Sequence, residues 1–85
     1  MDYLCNLEIL SITYNKVDKI QGLDYLESLK ELYLNHNNIS KMEGLDYVTN
    51  LNVLYLNHNN IQMINGIDNL TKLRTLSLNY NRILN

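Results

Sequence analysis

The amino-acid sequence predicts an α/β solenoid, a right-handed coil of about four turns with a parallel sheet on its concave face. Short helical or 3₁₀ turns are expected on the convex side. Three observations lead to this fold. Apolar positions recur every 22 residues along the 85-residue chain, short segments alternate apolar and polar residues, and all three glycines occupy the same position of the repeat. A fixed period of this length is typical of a chain that winds into stacked coils.

The period extends over the whole chain, so we predict a single domain, residues 1–85. Its repeat units are approximately 4–25, 26–47, 48–69 and a partial 70–85. The sequence starts in the tail of one unit and stops within another, and neither end carries the polar capping unit that solenoids normally need. We therefore expect a fragment of a longer array.

Strands are predicted where apolar and polar residues alternate, which is the period of a half-buried strand. The four segments are Ile9–Thr13, Glu31–Asn35, Val53–Asn57 and Thr75–Asn79. Each unit adds one strand, so successive strands should lie parallel and about 4.8 Å apart. The inward leucines of neighbouring units then share one core, because a single unit cannot bury its apolar edge alone.

Each unit follows the pattern L-x-x-L-x-L-x-x-N-x-I-x-x-I-x-G-L, which is clearest in the segment LKELYLNHNNISKMEGL, from Leu29 to Leu45. This pattern is that of the leucine-rich repeat. The 22-residue length resembles the subclass typified by the leucine-rich-repeat regulatory subunit of protein phosphatase 1, and the resemblance covers essentially the whole chain. It implies a non-catalytic scaffold that binds proteins, with the catalytic subunit of protein phosphatase 1 as a candidate partner.

A column of asparagines lies at the corner where the chain leaves each strand. Its members are Asn15, Asn37, Asn59 and Asn81. An asparagine amide offers two donors and an acceptor, so it can satisfy turn backbone groups that would otherwise be buried without partners. Leucine-rich-repeat proteins use such a ladder, and the resemblance implies the same structural role for these four residues.

The convex side begins at the glycine column, Gly22, Gly44 and Gly66. Glycine suits a bend that needs a positive φ or a close backbone approach. Asp24, followed three residues later by Glu27, predicts a capping box and a short helical or 3₁₀ turn. The turns are expected at Tyr25–Leu29, Tyr47–Leu51 and Asn69–Leu73. A calcium site on the aspartate column is the less favoured interpretation, because no second acidic column converges on it.

The outward residues of the strands and the corner are the candidate binding surface. The predicted partner-binding residues are Glu31, Tyr33, Asn35, His36, Val53, Tyr55, Asn57, His58 and Ser77. Tyr33 and Tyr55 should lie side by side at the centre, where large amphipathic rings favour a binding hot spot. The alternative is that they are cross-strand partners that only stabilise the sheet, and the sequence leaves both interpretations open.

Composition excludes several other functions. No catalytic constellation is present, and we predict neither a metal site nor a cofactor, since His36 and His58 have no obvious third ligand. The net charge of −2, and the lack of any Lys or Arg between Met42 and Thr71, argue against nucleic acid as a partner. No apolar run approaches the roughly 20 residues of a membrane span, and no signal peptide is recognisable. An intracellular protein, cytoplasmic or nuclear, is expected.

The leading functional hypothesis is a protein-interaction scaffold that uses the concave face. The alternative is a structural segment of a larger leucine-rich-repeat protein, for example an axonemal, spliceosomal or cell-surface one. Self-association through the uncapped end coils is also predicted, because open strand edges invite further pairing.

Overall fold

A computed structural model of the chain describes residues 3–84, with side chains from residue 5 onwards, so residues 1, 2 and 85 of the predicted domain lie outside the described part. A 3₁₀ helix at Tyr3–Asn6 precedes four strands, β1 at Ile9–Ser11, β2 at Glu31–Tyr33, β3 at Val53–Tyr55 and β4 at Thr75–Ser77. The strands form one parallel sheet in chain order, and the four coils, 1 to 4, take the numbers of the strands that they carry. Ile9 pairs with Glu31, Glu31 with Val53, and Val53 with Thr75, so every step equals one repeat. The predicted solenoid fold is confirmed.

Each strand begins where it is predicted and ends two residues earlier than predicted. The parallel hydrogen bonds nevertheless continue, because the Ile12 N–H donates to the Tyr33 carbonyl at 2.9 Å and the Tyr14 N–H to the Asn35 carbonyl at 3.2 Å. The chain then bends sharply, since Tyr14 has a φ of 57° and the equivalent residue in every coil is also positive. Regular strand geometry cannot continue through a left-handed residue.

The convex side has the short turns that were predicted, although none of them extends into a longer helix. Between β1 and β2 the Leu26 N–H donates to the Leu23 carbonyl at 3.1 Å, and the Leu29 N–H donates to the Leu26 carbonyl at 3.2 Å. These are two successive turns closed by i→i+3 hydrogen bonds of the 3₁₀ type, and their three leucines are buried. Among the described residues the side chains of Asp24 and Glu27 make no hydrogen bond, so the predicted capping box does not form.

The hydrophobic core lies in the two middle coils. Leu29, Leu32, Leu51 and Leu54 have no exposed surface at all. Their counterparts in the outer coils, including Leu10 and Leu76, are only half-buried. Each coil therefore supplies a wall for its neighbours, as expected of a solenoid. The predicted self-association through the half-covered end coils stays a prediction.

Asn37 and Asn59 tie neighbouring coils together at the corner. The Asn37 amide Nδ2 donates to the Leu34 carbonyl of its own coil at 3.0 Å and to the Ile12 carbonyl of the preceding coil at 2.8 Å. Its Oδ1 accepts the Val17 N–H at 3.2 Å. Asn59 repeats this arrangement one coil later, and both side chains are buried. Backbone groups of two coils are thus satisfied by one side chain.

The outer members of the asparagine column differ from each other. Asn81 is half-buried and makes the same set of bonds, including an Nδ2 donor to the Leu56 carbonyl at 2.8 Å and an Oδ1 acceptor from the Ile61 N–H at 3.0 Å. Asn15 does not join the ladder: it is exposed and donates only to the nearby Thr13 carbonyl at 3.0 Å. The correction has a simple reason, because its coil is the first one described and no earlier coil offers a carbonyl to Asn15.

The glycine column is explained by close contact between coils as well as by its backbone conformation. Gly22 and Gly44 both have a φ of 79°. A Cβ atom built on Gly44 would collide with the Ile20 carbonyl oxygen of the preceding coil, whereas one built on Gly22 would meet nothing within 4 Å. Gly66 repeats the collision with the Met42 carbonyl oxygen. Gly44 and Gly66 therefore have to be glycine for two reasons, the positive φ and the close approach of the preceding coil.

Replacing Asn37 or Asn59 by alanine should lower the free energy of unfolding by about 1–3 kcal/mol, because buried backbone groups lose their partners. The matched control is Asn15→Ala, whose exposed side chain makes one local bond, so a change within about 0.5 kcal/mol is expected. Urea unfolding followed by circular dichroism measures all three. Equal losses for Asn15→Ala and Asn37→Ala would contradict the structural assignment of the ladder.

Gly44→Ala and Gly22→Ala separate the two roles of the glycine column. Both variants force an alanine into a positive φ, which costs about 1–2 kcal/mol. Only Gly44→Ala adds the collision with the Ile20 carbonyl, and overpacking of this kind costs about 1–3 kcal/mol more. Thermal and urea unfolding should therefore show the larger loss for Gly44→Ala, and equal losses would rule out the close approach of the coils.

Candidate functional site

The centre of the concave sheet face is a pair of tyrosines. Leu32 and Leu54 point into the core, so the alternation of the strand turns their neighbours Tyr33 and Tyr55 to the other side. The two residues are direct partners in the sheet register. Their ring centroids lie 5.3 Å apart with an angle of 71° between the planes, an edge-to-face contact. Both rings are half-buried and keep part of their surface open.

Glu31 is coupled to this pair by a short hydrogen bond. The Tyr33 hydroxyl donates to the Glu31 carboxylate at 2.6 Å. This bond and, to a smaller extent, burial of the hydroxyl raise the pKa of Tyr33 above the usual value of a phenol. Because the folded pKa is the higher one, the bond contributes to stability at neutral pH and is lost only as the pH rises through the alkaline range. The carboxylate is therefore held in a fixed position beside the aromatic pair.

A second asparagine ladder crosses the same face two positions before the first one. The Oδ1 of Asn35 accepts the Asn57 N–H at 2.8 Å, and the Oδ1 of Asn57 accepts the Asn79 N–H at 2.7 Å. The Ser77 hydroxyl also donates to the Oδ1 of Asn57, at 2.7 Å. The sequence analysis assigned Asn35, Asn57 and Ser77 to partner binding alone. The structure adds that each takes part in bonding between coils.

The edge of the face is an unbroken stack of four aromatic rings. Tyr14 stacks on His36 at 4.1 Å, His36 on His58 at 4.2 Å, and His58 on Tyr80 at 4.4 Å, with the rings within 11° of parallel. All four residues have a φ between 57° and 61°, an uncommon conformation for residues other than glycine. The repeat column showed which residues share this position, but no sequence signal indicated the left-handed backbone that turns the rings onto one another.

The predicted partner-binding residues lie in columns that run from coil to coil along the strands and the corner. From the strand starts to the corner, four columns lie in parallel: Glu31 and Val53, then Tyr33, Tyr55 and Ser77, then Asn35 and Asn57, then His36 and His58. The tyrosine pair and the ring stack are thus two aromatic ridges with amide side chains between them. Whether this surface binds a partner stays a prediction.

The face offers aromatic edges, one carboxylate, a serine hydroxyl, amides and imidazoles. Among the described residues, no three or more His, Cys, Asp or Glu side chains come close enough to hold a metal ion. Over residues 3–84 there is also no helix with the length and apolar character to cross a membrane.

The convex surface carries two tyrosines that the sequence analysis did not single out. Tyr25 is 80% exposed and Tyr47 is 64% exposed, and together with Asp24 and Glu27 they line a shallow open depression. Among the residues whose side chains are described, neither has an aromatic partner, unlike the tyrosines of the concave face. They are therefore useful controls for experiments on that face.

Comparisons with known proteins agree with this geometry. A family model described as "Leucine Rich repeats (2 copies)" matches residues 5–47, and one described as "Leucine rich repeat" matches residues 41–83. Among solved structures, a chain of the Drosophila melanogaster SNF/U2A′ complex is similar, with 35% sequence identity and a TM-score of 0.80. The match covers 94% of this chain but only 49% of that one, so this chain spans about half the length of that protein. No curated protein matches.

These matches identify the family of the chain but do not identify the subclass within it. They support the leucine-rich repeat itself and give no support to the narrower resemblance to the protein phosphatase 1 regulatory subunit. Proteins built from such repeats are typically non-catalytic interaction modules. The two family models together cover residues 5–83, and the parallel four-stranded sheet with its 22-residue register fits them. The chain therefore belongs to the leucine-rich-repeat family, whose repeats serve as protein-interaction modules.

Proposed function

We propose that this chain is an interaction segment of a larger leucine-rich-repeat protein and that it binds a partner protein through its concave sheet face. The observation that carries the proposal is the Tyr33–Tyr55 pair, placed at the centre of a face whose backbone is fixed by hydrogen bonds from coil to coil. Tyrosines on a rigid support bind well, because little conformational entropy is lost when a partner covers them.

The surroundings of the pair support the same proposal. The outer coils leave space around the tyrosine pair, because the small residues Ser11 and Ser77 occupy the equivalent positions in those coils. Ile9 on the same face is 56% exposed, which adds apolar surface at the edge of the pair. A central aromatic cluster surrounded by smaller and polar groups is the usual anatomy of an interface.

The structural comparison favours one of the two functional hypotheses over the other. The similar chain belongs to the SNF/U2A′ complex, and no comparison points to a phosphatase. We therefore favour the alternative of the sequence analysis, a repeat segment that works inside a larger assembly, over regulation of protein phosphatase 1. The intracellular location expected from the sequence stays a prediction.

The concave face can be tested with serine substitutions, because serine already occupies this position in coils 1 and 4. The double variant Tyr33→Ser plus Tyr55→Ser should weaken binding of a captured partner roughly 10- to 100-fold, the usual loss at an aromatic hot spot. The matched control is Tyr25→Ser plus Tyr47→Ser on the convex side, which should bind like the native chain. Partners are captured from an extract of the source cells, and their affinities are measured by biolayer interferometry.

The same variants distinguish the two interpretations of the tyrosine pair. If the pair only stabilises the sheet, the concave double variant will lose unfolding free energy and keep its affinity for the partner while folded. If the proposal is right, affinity falls while the circular dichroism spectrum stays native. If only the convex control loses binding, the interface lies on the convex side and the proposal is refuted.

A further inference from the structure

The amide groups of Asn35 and Asn57 are held in one orientation. The Oδ1 of each accepts a backbone N–H of the next coil, from Asn57 at 2.8 Å and from Asn79 at 2.7 Å. A backbone N–H can only donate, so neither amide can turn its nitrogen towards the next coil. The Nδ2 groups are therefore fixed on the opposite side of each amide, with two N–H donors on each.

These donors have no acceptor within the described part of the chain. Over residues 5–84, the Nδ2 of Asn35 and the Nδ2 of Asn57 donate no hydrogen bond, although both side chains are half-buried. The third member of the ladder differs, because the Nδ2 of Asn79 donates to the Ser77 hydroxyl at 3.4 Å. Among the three, the two amides whose Nδ2 donates no bond at all are thus those of coils 2 and 3, beside the tyrosine pair.

The distribution of charge around these donors is uneven. The protein has nine Asp and Glu residues and a net charge of −2. Even so, none of the nine lies in the four equivalent segments that run from the middle of each strand past the corner, residues 10–17, 32–39, 54–61 and 76–83. The segments do contain Lys16 and Arg82. In an acidic protein, the segments that carry the amide column are therefore free of acidic residues.

We propose that Asn35 and Asn57 together bind the carboxylate of an aspartate or glutamate side chain on the partner protein. Equivalent atoms of neighbouring coils lie about one strand spacing apart, roughly 4.8 Å. The two oxygens of one carboxylate can reach two donors at that separation, one oxygen to each Nδ2. Hydrogen bonds to a charged acceptor are stronger than neutral ones, and fixed donors cost little to organise. This inference rests on the proposed function, since it assigns partner chemistry to the same face.

Other acceptors fit less well. Backbone carbonyls on one side of an extended peptide repeat at roughly twice the strand rise of 3.3 Å, which does not match the spacing of the two amides. A phosphate group carries a charge of about −1.5 to −2 at neutral pH, so it depends more strongly than a carboxylate on arginine or lysine, and the amide, tyrosine and histidine columns of coils 2 and 3 contain neither.

Asn57→Asp provides a specific test, because the new carboxylate still accepts the Asn79 N–H and the Ser77 hydroxyl but replaces the Nδ2 donor with a negative charge. The probe is a phage-displayed library of random peptides selected on the immobilised native chain. We expect the selected peptides to share an acidic residue whose change to Asn or Gln weakens binding roughly 10- to 100-fold. The Asn57→Asp variant should weaken binding of the acidic peptides to a similar extent.

A charge exchange and a matched control complete the experiment. Peptides whose acidic residue is changed to lysine should bind the native chain weakly and recover affinity for the Asn57→Asp variant. Asn60→Asp adds the same charge to coil 3 outside the amide column, and it should leave binding unchanged. Circular dichroism and urea unfolding of both variants verify that the fold is retained.

The outcomes separate this inference from the proposed function. Peptides that lose affinity for the concave double variant Tyr33→Ser plus Tyr55→Ser but bind the Asn57→Asp variant normally would overturn the carboxylate site and leave the concave interface standing. Peptides whose affinity is unchanged by the tyrosine substitutions would overturn the proposed function. A selection that returns no peptide sensitive to Asn57→Asp, including one that returns no binders, refutes the carboxylate site.

Discussion

Asn37 and Asn59 each satisfy backbone groups of two coils with a single buried amide, and this bonding between coils holds the structure together. A solenoid coil has no second layer to cover its corner, so the carbonyl and N–H groups there would be buried without partners. The asparagine supplies two donors and an acceptor at that point, and the next coil covers the amide in turn. The sheet register, the buried leucines and the glycine contacts all require this exact repetition from coil to coil.

Much of this fold could be predicted from the sequence because the repeat imposes the same environment on every column. The strand positions, the inward leucines and the pairing of Tyr33 with Tyr55 all followed from the 22-residue step. The convex side was predicted in part. The short 3₁₀-type turns lie where the sequence predicts them, but the side chains of Asp24 and Glu27 make no hydrogen bond among the described residues, because a pair of short turns offers them no longer helix to cap.

Two features of the candidate site could not be read from single residues. The stack from Tyr14 to Tyr80 depends on a left-handed backbone at each ring, and only the coordinates reveal that conformation. The orientation of the Asn35 amide depends on an N–H group 22 residues away in the chain. Asn15 shows the converse, because a residue in the right column makes only a local bond in the first coil that the structure describes. The repeat column of a residue thus predicts where the residue lies, whereas its hydrogen bonds depend on the neighbouring coil.

The short turns and the glycine contacts on the convex side bear on how closely the coils stack there. Where helices cover the convex side of a solenoid, they pack about 8–10 Å apart, while strands on the other side lie about 4.8 Å apart, and the mismatch curls the array into an arc. Here the backbone at Gly44 approaches the Ile20 carbonyl of the preceding coil so closely that no Cβ would fit. At this contact the coils therefore touch through their backbones, and no layer of side chains holds them apart.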